Sequence, residues 1–100
     1  MYEVIENIKQ WHYDRNLIEG STDLDQFGKL IEEVDELEAS LVMNKSPVDD
    51  IGDIAVVLIN IAERNGLSFK QCLDHAYTDI KDRKGKMVGG VFVKEESCTP

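Results

Sequence analysis

The sequence predicts an all-α fold, four helices followed by a short C-terminal β-hairpin. Three observations predict it. Apolar residues recur at spacings of three and four in four separate segments, each segment is bounded by helix start or stop residues, and Gly89-Gly90 sits between two short apolar runs.

The first segment carries Val4, Ile5, Ile8 and Trp11, an amphipathic helix from Tyr2 to Trp11. His12, next to Trp11, is expected as an exposed helix-end residue. Residues 14 to 22 read as a connection. Gly20, Ser21, Thr22 and Asp23 supply turn and cap chemistry, and Leu24, Phe27, Leu30, Ile31, Val34, Leu37 and Leu41 then trace a long second helix that stops near Asn44. Ser46-Pro47 is a fresh start, with serine as cap, proline at the first helical position and Asp49 where the helix dipole favours an acid. The third helix runs from Pro47 to about Arg64, and Gly66 provides the left-handed stop. Apolar residues cover most of its circumference, which predicts burial on several sides, partly by another copy of the chain. Ser68 and Gln71 form a capping box for a fourth helix whose apolar face is Phe69, Cys72, Leu73, Ala76, Tyr77 and Ile80, ending around Lys84-Gly85. Met87-Val88 and Val91-Phe92-Val93 flank the two-residue turn of the hairpin, which is expected to pack on the bundle or a neighbour. A single domain over 1–94 and a loose tail over 95–100 complete the organisation.

Composition narrows the function classes. The longest apolar stretch, Ile54 to Ile59, is far short of the ~20 residues of a membrane span. The start, Met1-Tyr2-Glu3-Val4, lacks the basic and apolar regions of a secretory signal, so a cytoplasmic location is expected. A formal net charge of −9 opposes binding to nucleic-acid polymers. Cys72 reads as a small buried hydrophobe and Cys98 as a free tail thiol, neither in a metal motif.

The acids are not scattered. Glu33 and Glu36 are three residues apart on the second helix, and Asp50 and Asp53 repeat that spacing on the third. The short link through Asn44-Lys45-Ser46 makes the two helices antiparallel neighbours, converging all four carboxylates. Without a cation, each pair about 4 Å apart costs about 4 kcal/mol even at an effective dielectric of ~20. Hard oxygen ligands of this kind suit magnesium or manganese. Taken singly, a Glu-x-x-Glu is usually a solvated face; its recurrence across a helical hairpin points to a site. Gly52, between the two aspartates, costs about 1 kcal/mol relative to alanine, and close approach of a helix or substrate is the usual reason to keep such a glycine.

Lys29-Leu30-Ile31-Glu32-Glu33-Val34-Asp35-Glu36-Leu37, followed by Asp50-Ile51-Gly52-Asp53-Ile54, resembles the MazG-like all-α nucleotide pyrophosphohydrolases, whose pattern is Glu-Glu-x-x-Glu and then Glu-x-x-Asp. The likeness extends over nearly the whole chain, through Trp11, Gln26 and the segment Ile80 to Lys94, and is nearest to small MazG-like proteins of phages and bacteria. Asp50 replaces the usual glutamate, shortening one ligand by a methylene, and Asp35 replaces a small residue. The resemblance implies a four-helix bundle completed by homodimerisation, or a dimer of dimers, hydrolysing (deoxy)nucleoside triphosphates to the monophosphate and pyrophosphate. It implies Mg2+, with Mn2+ able to substitute, on Glu33, Glu36, Asp50 and Asp53, and a role for Glu32 or Glu33 as the base that takes a proton from water. Lys81, Arg83 and Lys84 sit where the family grips phosphate, with Tyr77 one turn earlier on the same face; the alternative for each cation is a solvated helix end. Asn60 is a candidate for a nucleobase edge, or for a hydrogen bond to a neighbouring helix, and Trp11 for base stacking, or for the core. The base preference stays open, with a purine deoxynucleotide such as dGTP as the first substrate to try. From a different class, a noncatalytic module whose acidic face engages a basic partner predicts no turnover. A di-iron carboxylate bundle is disfavoured, because neither His12 nor His75 stands in a Glu-x-x-His pair.

Overall fold

The computed structural model describes residues 2–95. Four helices, α1 (Tyr2–Asp14), α2 (Asp23–Val42), α3 (Val48–Arg64) and α4 (Phe69–Ile80), precede a hairpin of β1 (Gly85–Val88) and β2 (Val91–Lys94). The residues predicted as a loose tail, 96–100 with Cys98 among them, lie outside those described.

Local chemistry explains the element ends. Thr22 caps α2 reciprocally with Asp25, and Ser68 caps α4 with Gln71 in the same way. Helix α3 starts one residue later than expected: Pro47, predicted at the first helical position, takes the N-cap in place of Ser46, whose Oγ accepts from the Val48 amide. The C-termini of α1, α2 and α3 end alike, on Asn16, Asn44 and Gly66 at positive φ. In each, the next amide reaches back to a carbonyl of the last turn: Leu17 to His12, Lys45 to Ser40 and Leu67 to Ala62. Helix α1 runs three residues beyond the predicted Trp11, because its last turn is held on α3 by a hydrogen bond from the Tyr13 hydroxyl to Glu63 Oε2, 2.6 Å. Helix α4 stops at Ile80, short of the predicted Lys84-Gly85, since the Lys84 carbonyl is drawn into pairing with the Glu95 amide beside the hairpin.

The hairpin pairs Gly85 with Lys94 through Val88 with Val91, and Gly89 and Gly90 turn it at φ 59° and 87°. Two consecutive positive φ values are what a tight primed turn requires, as the glycine pair predicted. Both strands are exposed along their length, so among the described residues the expected packing of the hairpin onto the helices is not seen.

Helix α3 is the hub, packed against α1, α2 and α4 in turn. Among the described residues the buried apolar core is small: Val57, Ile59 and Ala62, all on α3. Much of the predicted α2 stripe is uncovered, Leu24 being 80% and Phe27 51% exposed, and on α4 Leu73, Tyr77 and Ile80 are exposed as well. Cys72, expected to be buried, is an exposed thiol on an apolar groove between α3 and α4, because that groove is open on its outer side. The radius of gyration is 16.5 Å, against the ~13 Å of a compact 100-residue domain. No helix of the described residues is long and apolar enough to cross a membrane.

Candidate metal centre

Because α2 and α3 are antiparallel neighbours across a short link, the acidic turn of each faces the other. Glu33, Glu36 and Asp53 each place a carboxylate oxygen so that the three lie within 4.8 Å of one another. Glu33 is buried, and its Oε1 has no hydrogen-bond partner. A buried carboxylate oxygen without a partner is costly, and nothing among the described residues supplies its donor. The Glu36 carboxyl is held above the ordinary glutamate range, first by the charge of Glu33, then by loss of water and by Asp50. Such crowding favours a cation, and the all-oxygen donor set fits magnesium or manganese.

Asp50 is buried near this group, close enough to act on Glu36, but it is not one of the three converging carboxylates. Three of the four predicted ligands are therefore brought together directly, with Asp50 behind them. Glu32 points outward, its side chain 67% exposed. Lys29, one turn earlier on α2, approaches Glu33 Oε2 at 3.4 Å and Glu32 Oε1 at 3.8 Å. Its ammonium is held protonated beyond the usual lysine range, chiefly by the hydrogen bond to Glu33 and then by the charges of Glu33 and Glu32.

Two of the three carboxylates, Glu33 and Asp53, line a cleft of about 390 Å³ together with Trp11, Gln26, Lys29 and Val56, among others. Trp11 is 43% exposed there, so it is not the core residue its spacing also allowed. The Arg15 guanidinium lies over its ring, 4.3 Å from the centroid.

A buried polar network fixes the wall that carries Trp11. His12, expected to be exposed, is only 3% exposed, a correction that follows from its partners on α3. His12 Nε2 and the Val56 carbonyl are 2.9 Å apart, and since a carbonyl only accepts, the proton sits on Nε2. Nδ1 then accepts from Asn60 Nδ2 at 3.2 Å, and the same amide nitrogen donates to the Leu17 carbonyl at 3.0 Å. Asn60 is fully buried, so it serves these internal bonds and not the edge of a base; of its two expected roles, the hydrogen bond to a neighbouring element is the one found. One turn on, Arg64 donates to the carbonyls of Leu17, Ile18 and Ser21 and pairs with Asp23 at 3.0 Å. That single side chain ties down the connection between α1 and α2.

Lys81, Arg83, Lys84 and Tyr77 are exposed, and none lines the cleft. Phe69 and Cys72 of α4 share a groove with Leu58, Ile61 and Ala62, a side of α3 turned away from Asp53, Val57 and Asn60. Gly52 is exposed too, and a methyl group built on it meets no atom of the described residues, so of the two expected reasons for this glycine, a helix or a substrate, the approach of a helix is not seen within the protomer. Lys29, His12 and Arg64 are the site-shaping residues the sequence reading passed over. Lys29 carried a local signal, lying four residues before Glu33; the other two depend on partners more than 40 residues away.

Compared with known proteins, the chain is 46% identical over 67 residues to an uncharacterized 18.2 kDa protein from the rep-hol intergenic region of Haemophilus phage HP1. The match takes in 65% of this chain but 41% of that protein, so the chain spans about two fifths of its relative's length. No protein-family model and no solved structure matches the chain.

Proposed function

We propose that the protein is a MazG-like nucleoside triphosphate pyrophosphohydrolase that converts (deoxy)nucleoside triphosphates to the monophosphate and pyrophosphate. The observation that carries this reading is the convergence of Glu33, Glu36 and Asp53 beside a cleft, with one buried Glu33 oxygen lacking any partner. These three residues would hold the divalent cation, Mg2+ or Mn2+, with Asp50 adding negative charge behind them. When bound, the cation would neutralise the triphosphate and make a nearby water more acidic. The likeness to the family offers Glu32 as the base that would take the proton of that water; its side chain is exposed and lies beside Lys29. The water oxygen bonds to the α-phosphorus, the bond from that phosphorus to the bridging oxygen breaks, and pyrophosphate leaves with the electron pair. Trp11, part-exposed at the cleft, and the Arg15 guanidinium over its ring would meet the base.

The protein acts, on this reading, as a homo-oligomer. Its accessible surface of 7665 Å² exceeds the ~5,700 Å² of a compact monomer of its mass, a surplus comparable to or larger than one partner's share of an ordinary interface. A second copy would cover the exposed stripes of α2 and α4 and bring Lys81, Arg83, Lys84 and Tyr77 of one protomer toward the cleft of the other. Sedimentation equilibrium at micromolar concentration should return a multiple of 11.3 kDa; a monomer there would remove this part of the proposal.

The chemistry is tested by incubating the protein with each triphosphate, dGTP included, and Mg2+ or Mn2+, then separating the products. Monophosphate with pyrophosphate is expected. Diphosphate with orthophosphate would exclude the mechanism. No turnover, together with no stoichiometric Mn2+ binding, would leave the noncatalytic acidic module as the better reading.

A further inference from the structure

We infer that Lys29 plays two opposed parts at the carboxylate centre: it competes electrostatically with the cation when no nucleotide is present, and it binds the nucleotide's phosphates once cation and nucleotide are both there. The inference deepens the proposed function and rests on its reading of Glu33, Glu36 and Asp53 as a cation site. Three features of the geometry support it. Lys29 Nζ is 3.4 Å from Glu33 Oε2, so the residue at the heart of the acidic group already has one positive partner. Glu33 Oε1 has none, so that ammonium leaves the carboxylate only half satisfied. The lysine lines the same cleft as Glu33, Asp53 and Trp11, and its side chain is half exposed, free to leave the carboxylate and swing within the cleft.

Charge fixes the direction of each effect. An ammonium beside Glu33 lowers the attraction of the carboxylates for a second cation, as a like charge must at short range. A triphosphate entering the cleft brings several negative charges, and a flexible lysine is a point charge able to turn toward them. Glu32, 3.8 Å from Nζ, gives the lysine a second resting partner and loses it when the ammonium moves to phosphate. The same motion would therefore free the carboxylate assigned to take the proton from water.

The test is Mn2+ binding by titration calorimetry and electron paramagnetic resonance on the whole chain, with wild type, Lys29→Met and Lys29→Arg. Without nucleotide, Lys29→Met should bind Mn2+ roughly fivefold more tightly, the scale of a half-exposed ion pair, and Lys29→Arg should stay near wild type. With Mn2+ saturating and a nonhydrolysable triphosphate as titrant, Lys29→Met should bind the nucleotide several-fold more weakly, with Lys29→Arg again near wild type. A purely structural lysine would not move the two affinities in opposite directions. A wild-type Mn2+ site that Lys29→Met leaves unchanged or weakens overturns the role of Lys29 while the cation site stands. The absence of any saturable Mn2+ site in all three proteins overturns the site and the role of Lys29 together. Because the side chain of residue 29 is half exposed and methionine is a good helix former, the variants are expected to fold, which circular dichroism checks.

Discussion

Asp53→Asn should abolish stoichiometric Mn2+ binding and reduce pyrophosphate release by at least about 100-fold, since groups that merely orient a metal ligand already cost about 10- to 100-fold when removed. Asp53 is the single contribution of α3 to the three converging carboxylates, the other two coming from successive turns of α2. The amide keeps the shape and removes the charge, so the variant separates a ligand from a packing residue. Its fold should survive, because Asp53 is exposed and relieving repulsion with Glu33 and Glu36 does not harm the cation-free protein. The contrast with Asp50→Asn is informative. Asp50 lies behind the group and acts on it through space, so its amide should weaken Mn2+ less than that of Asp53 does. Turnover and Mn2+ affinity unchanged in Asp53→Asn would sink both the cation site and the hydrolase reading.

Arg64→Ala should cost about 3 kcal/mol of folding stability, read as a lower midpoint in urea denaturation. The side chain is 12% exposed, and its guanidinium serves three backbone carbonyls, of Leu17, Ile18 and Ser21, besides its pair with Asp23. Truncation strands those carbonyls and leaves a void beside Asn60. Leu17 also accepts from Asn60, whose other partner is His12, so loosening this connection loosens the wall that carries Trp11. Lysine at position 64 keeps the charge but not the planar fork, and should recover only part of the loss. A change below about 0.5 kcal/mol for Arg64→Ala would show that the connection is held by other contacts.

The four predicted ligands were legible because their signal is local. Acids at i and i+3 share a helix face wherever the helix ends up, and the short Asn44-Lys45-Ser46 link fixes which neighbour that face meets. Which three of the four would converge was not legible. Asp50 and Asp53 differ by one turn of rise and by an angle about the axis, and only the rotation of α3 against α2 selects between them. The fate of Asn60 had the same origin: its spacing from Asp53 aligned it with the site, but full burial between His12 and Leu17 came from the packing of α1.

By itself, the sequence determined the number and order of the helices, the caps of α2 and α4, the stops of α2 and α3, the Gly89-Gly90 turn and the two acidic pairs, because each depends on residues within a few positions of one another. Only the tertiary structure decided that His12 is buried, that Arg64 holds the α1 to α2 connection, and that the apolar faces of α2 and α4 are open in the protomer. Those outcomes depend on contacts spanning more than 40 residues, or on surfaces that no element of the described chain covers, and a periodic pattern along the sequence records the face a helix offers but not the element that meets it.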